Sequence, residues 1–278
     1  MDNIFPFLKS SITIMIPVFF AALGGLFTSL AGTLNIALEG LLLISAFSSL
    51  TVYYFSGNVI MAVFSAVIAG MSFALLHSFA VFKLKANLFV SGIAINLLSS
   101  GICILLSDKI FNTKGVVTAG NLSGLLNWYI ILSIIFMLIS WVLIFKTPFG
   151  YYLRACDKNS KPLLSLGKKP EFYQASAILI SGFLCGIGGS FLSLNLGAFV
   201  PGMSAGKGWI ALAVIFLGAK KPLGILAAAF VFAFAESFSN YAQGFLMIPA
   251  DFILAFPYIC TLIVMIAVSV FNKSRPES

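Results

Sequence analysis

The sequence predicts an all-α, polytopic membrane protein that forms a single transmembrane domain over residues 1–278, with about eight to ten membrane-spanning helices. Of the 278 residues, 60% are hydrophobic and only 9% are charged, whereas an average soluble domain is about 45–50% apolar and about 25% charged. Apolar runs recur at roughly the 20 residues that one transmembrane helix needs. Lys and Arg cluster between these runs, as they do in the loops of membrane proteins. A soluble fold and an additional extramembrane catalytic domain are therefore excluded.

The apolar runs predict nine spans in chain order. They cover 11–30, 41–56, 59–82, 88–106, 128–145, 175–196, 209–219, 223–246 and 252–271. The first run is too long for a cleaved signal peptide and is interpreted as an uncleaved span.

Two of the predicted segments are irregular. Ala31–Gly40, before the second span, is too polar for the middle of a membrane and too apolar for an ordinary loop. The run Trp209–Gly218 has ten residues. As a helix it would be about 15 Å long, which is half the thickness of the bilayer core. Both segments therefore predict interrupted helices.

Basic residues predict which side of the membrane each loop faces. The loop 146–174 carries six basic and two acidic residues, and we expect it on the cytoplasmic side. Alternation of the spans then puts twelve Lys and Arg residues inside. Four are left outside, namely Lys9, Lys109, Lys114 and Lys207. This distribution predicts an external N-terminus and a cytoplasmic C-terminus.

A short repeat links the two irregular segments. Ala31–Leu38 laid on Ala205–Leu212 matches at five of eight positions. An odd number of predicted crossings separates the two strings, so the repeat is predicted to be inverted. Many transporters build a substrate path from inverted repeats with interrupted helices. Irregular backbone is tolerated at membrane depth where it lines a cavity, and we expect such a cavity here.

Five strings of the chain carry a family pattern. They are Ala21–Phe27, Ala31–Gly40, Gly150–Asn159, Gly206–Leu212 and Phe252–Thr261. Together they resemble the inner-membrane permeases of branched-chain amino acid and simple sugar ABC importers. Within that family, the short chain and the string Leu34–Gly40 most resemble the smaller permease of nucleoside importers. Asp157 and Pro162-Leu163 depart from the pattern, which often has Gly and Ala-Ala at these places.

The resemblance implies a permease subunit of the bacterial inner (cytoplasmic) membrane that moves a small polar solute into the cytoplasm. The implied solute is a nucleoside, with a simple sugar as the alternative. It implies an ABC ATPase subunit, a second homologous permease in a heterodimer, an extracytoplasmic solute-binding protein or lipoprotein, and membrane lipid as partners. No nucleic-acid partner is expected. ATP and Mg would be held by the partner ATPase, and no cofactor or metal is expected in this chain.

The string Gly202–Gly208 looks superficially like a phosphate loop. It has one residue too few before Gly-Lys, and no Ser or Thr follows the lysine. The chain is therefore predicted to be a translocation subunit rather than an enzyme.

The loop 146–174 has two interpretations. On composition alone it is a solvated loop that satisfies the positive-inside rule. A short helix near Lys158–Leu166 would instead offer Leu163, Leu164 and Leu166 to a soluble partner. The resemblance implies this second interpretation, a coupling helix that docks on the ATPase. The implied coupling residues are Gly150, Arg154, Ala155, Asn159 and Leu163. Arg154 is expected to orient the loop through backbone carbonyls or a partner carboxylate.

We expect four residues near the interrupted segments to line the solute path: Asn35, Glu39, Lys207 and Trp209. Asn35 can donate and accept hydrogen bonds, and Trp209 offers a stacking face, which suits a nucleoside and also a sugar. Glu39 has a second interpretation, as a carboxylate at a helix end that caps backbone amides.

Other polar residues at membrane depth are expected to serve structure. Glu236 should bond to a neighbouring helix, Asp251 should interact with the start of the last span, and His77 should be a packing residue. Gly182 and Gly186 have the spacing of close helix contacts.

Two other classes of function compete with the ABC permease. An ion-driven secondary transporter would use Glu39, Glu236 and His77 as coupling groups. A membrane enzyme is disfavoured, because the single His and the absence of an HExxH motif leave no catalytic constellation.

Overall fold

Ten helices and two short strands make up the part of the computed structural model that is described, residues 4–120, 122, 124–158 and 161–242. The helices are α1 (Ile4–Leu30), α2 (Leu38–Ser56), α3 (Val59–Phe82), α4 (Leu88–Phe111), α5 (Leu125–Lys146), α6 (Pro148–Lys158), α7 (Lys161–Ser165), α8 (Pro170–Leu196), α9 (Lys207–Leu217) and α10 (Pro222–Ala242). Strand β1 (Val117–Thr118) pairs antiparallel with β2 (Ala198–Phe199). The predicted last span 252–271, its Asp251 and the C-terminus lie outside the described residues.

Seven helices are long and apolar enough to cross a membrane, counted over the described ranges: α1 to α5, α8 and α10. This confirms the predicted all-α polytopic class. The predicted spans coincide with these helices, although α8 begins at Pro170 rather than near residue 175. Proline is favoured in the first turn of a helix, where its missing N–H has no intrahelical partner to lose.

Asparagine and glycine set several of the helix ends. The side chain of Asn58 accepts hydrogen bonds from the N–H groups of Ile60 and Met61, and so starts α3. Asn87 starts α4 in the same way. Gly57 and Gly197 end α2 and α8 in the left-handed conformation, with φ of 64° and 65°. These are the residue types that satisfy unpaired backbone groups at helix ends.

Helices α1 and α8 form the centre of the bundle, and α2, α3 and α10 pack around them. Small residues bring the central helices close together. A Cβ on Gly182 would lie 2.6 Å from the carbonyl oxygen of Gly70, and one on Gly186 would lie 2.6 Å from the Cα of Val67. The predicted packing role of Gly182 and Gly186 is therefore confirmed, at the crossing of α3 and α8.

Contacts between loops show which of them share an end of the bundle. Lys85 Nζ lies 3.2 Å from Glu171 Oε1, which joins the α3–α4 loop to the start of α8. Lys146 and Lys221 line one groove. We call this end, with segments 83–87, 147–158, 161–169 and 218–221, the basic end. The β1–β2 pair lies at the opposite end, so the structure groups the loops as their basic residues predicted.

Helix α9 begins inside the bundle and ends at the basic end. Its first residue, Lys207, pairs with Glu236, which lies about 21 Å along α10 from Pro222. The Lys207 side chain is only 13% exposed. The prediction that Lys207 lies in an external loop is therefore wrong, because residues 200–206 carry the chain inward before α9 starts. The predicted half-length helix itself is confirmed, since α9 has eleven residues.

The two irregular segments occupy related places in opposite directions. Helix α1 leads to the basic end, segment 31–37 turns back, and α2 starts inside the bundle. Helix α8 leads to the opposite end, segment 197–206 turns back, and α9 starts inside. This is an inverted arrangement of elements, as predicted. The register of the repeat is wrong, however, since residues 207–212 are helical and 31–37 are not.

Candidate functional site

The starts of α2 and α9 meet inside the bundle. Gly208 is the second residue of α9 and Glu39 is the second residue of α2. A Cβ on Gly208 would collide with the backbone nitrogen and Cα of Glu39, so no larger residue fits without a shift of the helices. Two helix N-termini, each with a partial positive charge, are thus brought side by side. We call this contact the α2–α9 junction.

The carboxylate of Glu39 ties the junction together. Its Oε1 accepts a hydrogen bond of 2.9 Å from the N–H of Gly206, and its Oε2 accepts one of 2.7 Å from the N–H of Gly208. Both amides belong to the first turn of α9, where N–H groups lack intrahelical partners. A negative charge is stabilised at this place by the dipoles of both helices. The interpretation of Glu39 as a capping residue is confirmed, although the helix that it caps is α9.

An ion pair lies next to the junction. Lys207 Nζ is 3.8 Å from Glu236 Oε1, and the two side chains are 13% and 24% exposed. The expectation that Glu236 bonds to a neighbouring helix is confirmed. Its second oxygen, Oε2, is buried and has no hydrogen-bond partner among the described residues. Two carboxylates and one ammonium group therefore gather around the first turn of α9.

Asn35 is fully buried in segment 31–37. Its Nδ2 donates a hydrogen bond of 2.8 Å to Ser181 Oγ on α8, and its Oδ1 accepts one of 2.9 Å from the N–H of Ala37. The expectation that Asn35 offers its amide to a solute is not met in this conformation, because the amide holds the segment against α8. Segment 31–37 is mostly buried in protein and does not line an open cavity. Irregular backbone at membrane depth is tolerated in either place, because its polar groups are kept away from lipid.

Asn96 is a functional candidate that the sequence analysis missed. It lies on α4, where its Nδ2 donates to the carbonyl of Ile36 over 3.0 Å and its Oδ1 accepts from the N–H of Gly40 over 2.7 Å. One side chain thus bridges the irregular segment and the first turn of α2. The sequence does contain a signal for this role, because Asn96 is an amide within the apolar run of α4. Amide side chains in membrane helices typically form hydrogen bonds to neighbouring helices.

Trp209 is the most accessible of the four residues expected to line the path. It lies in the first turn of α9 and is 48% exposed. The structure brings Glu39, Lys207 and Trp209 together at the start of α9. Asn35 lies apart from that group and bonds to α8. The indole ring is therefore accessible to a ligand or a partner at this surface of the chain.

The predicted short helix of the 146–174 loop is confirmed as α7 (Lys161–Ser165). Leu164 and Leu166 are 58% and 66% exposed, as expected of side chains offered to a partner. Leu163 is 1% exposed and belongs to the hydrophobic core. The expectation that Leu163 docks on a partner is therefore wrong in this structure. Asn159 lies outside the described residues.

Arg154 and Gly150 shape helix α6. Arg154 Nε donates a hydrogen bond of 3.3 Å to the carbonyl of Gly150, and its guanidinium lies 4.9 Å from the centre of the Tyr151 ring. A Cβ on Gly150 would collide with the carbonyl oxygens of Leu143 and Ile144, so glycine allows α6 to fold closely against the end of α5. Ala155 is half-buried on the same helix. The carbonyl bond is one of the two roles expected of Arg154.

The end of α6 contacts the irregular segment between α1 and α2. Gly32 has a φ of +72°, and a Cβ there would lie 3.0 Å from Asp157 Oδ1. Gln174 Nε2, near the start of α8, donates a hydrogen bond of 3.1 Å to the carbonyl of Ala31. The charged loop and segment 31–37 are therefore in direct contact, which no pattern in the sequence indicated.

Cys156 lies on α6, where that helix contacts the start of α8. Its thiol donates to the carbonyl oxygen of Tyr152 over 3.2 Å. Burial raises the pKa of this thiol above its usual range, because the thiolate would lose its hydration. A buried thiol that is bonded to a carbonyl within its own helix is typical of a packing residue.

His77 is buried on α3, with its Nδ1 2.9 Å from Ser91 Oγ on α4. This bond agrees with the expected packing role, while His77 Nε2 is buried and has no hydrogen-bond partner among the described residues. Within the described ranges, no group of three His, Cys, Asp or Glu residues is placed to hold a metal ion.

Comparison with known proteins adds a family match. A family model described as the permease component of the branched-chain amino acid transport system matches residues 7–269. The guanosine ABC transporter permease protein NupQ of Bacillus subtilis (strain 168) is 32% identical, over 90% of this chain and 87% of its own length. The nucleoside ABC transporter permease protein NupC of Lactococcus lactis subsp. cremoris (strain MG1363) is 28% identical over the same shares.

A more distant relative has a different named solute. The putative glucose ABC transporter permease protein TsgC13 of Haloferax volcanii is 24% identical, over 80% of this chain and 73% of its own length. No solved structure matches the chain significantly.

Proposed function

Since the chain belongs to the permease family of branched-chain amino acid transport systems, we propose that it forms the membrane path for a nucleoside in an ABC importer. Membership in this family makes it a multi-pass membrane protein that works with an ATPase subunit and a substrate-binding protein. The nucleoside is supported by two relatives named for guanosine and nucleoside transport, each of which covers 90% of the chain.

The α2–α9 junction is the part of the structure that supports this proposal best. Helix α9 starts inside the bundle, with the exposed ring of Trp209 next to the Lys207–Glu236 pair. A base stacks on an indole ring, and ribose hydroxyls bond to carboxylate and ammonium groups. Glu39 holds the start of α9 in place. Asn35 is a positioning residue, which holds segment 31–37 against α8.

The described chain supplies one side of the proposed path. Trp209 faces outward from the bundle, so a second homologous permease, in a heterodimer, would supply the facing side. Affinity at the site should be modest, because a solute that binds tightly would not be released toward the cytoplasm.

Energy for transport would enter through the charged loop. ATP with Mg is bound and hydrolysed by the partner ATPase, on which the exposed Leu164 and Leu166 dock. Arg154 keeps α6 in position against α5, because its guanidinium lies 5.3 Å from the centre of the Phe145 ring. The coupling roles of Ala155 and Asn159 stay predictions. Movement of α6 reaches segment 31–37 through the contact of Asp157 with Gly32. From there Asn96 and Glu39 connect to the first turns of α2 and α9.

Reconstitution tests the class of transporter. Proteoliposomes that contain this permease, its ATPase, the second permease and the solute-binding protein should take up guanosine only when ATP is present inside. A protonophore should leave that uptake unchanged. Guanosine accumulation by the isolated permease in energised vesicles, abolished by the protonophore, would instead establish an ion-driven secondary transporter.

Substitution of Trp209 tests the site. Trp209→Ala should lower guanosine uptake about fivefold or more, since stacking of one base on an aromatic ring contributes about 1–3 kcal/mol. Basal ATP hydrolysis should stay unchanged. Trp128→Ala is the matched control, because Trp128 on α5 is also exposed, at 69%. Equal uptake by the two variants would remove Trp209 from the path.

A simple sugar is the second candidate solute. It is favoured by the relative named as a putative glucose permease and by the hydrogen-bonding groups of Lys207 and Glu236. Competition decides between the two. Excess unlabelled guanosine should suppress uptake of labelled nucleoside, and excess glucose should not.

A further inference from the structure

An apolar groove lies between α1, α5 and α10 on the outside of the bundle. It has a volume of about 440 Å³, and its lining includes Ile12, Met15, Ile130, Ile134, Leu226 and Phe230. Ser133 also lines the groove, but its hydroxyl donates to the carbonyl of Tyr129 over 2.8 Å. This part of the surface therefore offers a continuous apolar contact. Its one polar side chain, Ser133, already has a hydrogen-bond partner within the protein.

A second groove of about 410 Å³ adjoins the first at the basic end. It is lined by Trp141, Phe145, Lys146, Lys221, Pro222 and Leu223. Leu223 lines both grooves, so the apolar groove opens directly onto two lysines. The ammonium group of Lys146 lies 5.6 Å from the centre of the Trp141 ring. Tryptophan and lysine are typical of the level at which lipid headgroups begin.

The two lysines of the second groove, Lys146 and Lys221, have no acidic partner among the described residues. Among the residues that the structure describes, no Asp or Glu lines either groove. From Pro222 to Phe230, α10 runs about 12 Å, close to the roughly 15 Å of one leaflet's hydrocarbon. The pair of grooves therefore has the length and the polarity of one lipid molecule of the inner leaflet.

We propose that the two grooves form a binding site for one anionic phospholipid. Its phosphate lies between Lys146 and Lys221, and an acyl chain follows Leu223, Leu226 and Phe230 between α5 and α10. Basic pockets between membrane helices on the cytoplasmic side are known to bind anionic headgroups. The site is independent of the proposed solute, because it uses none of the residues of the α2–α9 junction.

Native mass spectrometry of the intact transporter complex tests the site. The complex is delipidated in mild detergent and then given phosphatidylglycerol or phosphatidylcholine with the same acyl chains. The wild type should retain phosphatidylglycerol in preference to phosphatidylcholine. Lys146→Gln and Lys221→Gln should each lower retention of phosphatidylglycerol about fivefold, as expected for one lysine near an anionic headgroup.

The matched control removes equal charge from the same end. Lys83→Gln with Lys168→Gln alters two exposed lysines that line neither groove, and retention should stay at the wild-type level. Ala227→Trp fills the apolar groove from its exposed side. This variant should lower retention without any change in charge, while the melting temperature stays unchanged.

Three results would overturn the proposal. The first is equal retention by the Lys146/Lys221 double variant and its control. The second is undiminished retention by Ala227→Trp. The third is efficient cross-linking of Leu223→Cys to the second permease, which would show that a protein covers the grooves instead of a lipid.

Discussion

At the level of single residues, the α2–α9 junction shows how charged side chains are kept at membrane depth. A charged group at the centre of a membrane helix costs about 2.5–3.5 kcal/mol on insertion scales. Glu39 offsets this cost with two backbone N–H groups at a helix start. Glu236 and Lys207 offset theirs through each other. Each charge therefore has a structural reason to be where it is, and any contact with solute comes in addition.

Substitution of Glu39 separates these two roles. Glu39→Ala removes both hydrogen bonds to α9 and should lower the free energy of unfolding by about 3–6 kcal/mol, since one hydrogen bond to a charged group contributes about 1.5–3 kcal/mol. Glu39→Gln keeps one acceptor and should lose about half as much. Thermal unfolding of the purified protein in detergent measures both. Normal stability of Glu39→Gln together with lost uptake would show instead that the carboxylate contacts the solute.

At the level of elements, the position of the start of α9 depends on how closely α9 approaches α2. Neither segment 31–37 nor the start of α9 is part of a long helix. Asn35 bonds segment 31–37 to α8, Asn96 bonds it to α4, and Glu39 bonds the start of α9 to α2. Close approach at Gly208 lets the carboxylate of Glu39 reach the amides of α9.

A pair of glycine variants tests that contact. Gly208→Ala places a methyl group against the backbone of Glu39 and should destabilise the protein by about 1–3 kcal/mol, the usual cost of overpacking. Gly101→Ala on α4 meets no atom within 4 Å, so it should be neutral or stabilising by up to about 1 kcal/mol. Melting temperatures of the two variants give the comparison, and equal values would mean that the helices can separate at no cost.

The short helix α7 has one buried and one exposed leucine side by side. Leu163→Ala should lower the free energy of unfolding by about 2–5 kcal/mol, because Leu163 is 1% exposed. Leu164→Asp, at a position that is 58% exposed, should leave stability unchanged and weaken co-purification with the ATPase. Wild-type assembly of Leu164→Asp would return the segment to the interpretation of a solvated loop.

At the level of the whole molecule, the Lys and Arg residues of the described chain lie at the basic end, except for Lys9, Lys109, Lys114 and Lys207. Lys207, which the sequence predicted in an external loop, lies inside the bundle and pairs with the carboxylate of Glu236. The positive-inside rule then assigns the basic end to the cytoplasm.

Labelling from the two sides of the membrane tests this orientation. Single cysteines are placed at 57 and 120 at the opposite end, and at 84 and 164 at the basic end, in a variant whose four native cysteines are serine. An impermeant maleimide should label 57 and 120 in intact cells, and 84 and 164 only in inverted vesicles. Labelling of 164 from outside would reverse the orientation.

The sequence by itself determined the properties that depend on local composition. Apolar runs predicted the spans, basic residues grouped the loops, and the short run Trp209–Gly218 predicted a helix of half length, which the structure shows as α9. Each follows from the residues of one segment, because a helix in lipid satisfies its own backbone and needs only the right length and polarity.

Only the tertiary structure decided which side chains are available for function. Asn35 is hydrogen-bonded to Ser181, 146 positions away, and Glu39 caps Gly206, 167 positions away. Leu163 and Leu164 are neighbours of the same type, yet only Leu163 meets the core. Burial and pairing of these residues depend on which helix stands next to them. That choice is made by the packing of distant segments, such as Gly208 against Glu39, and no local pattern records it.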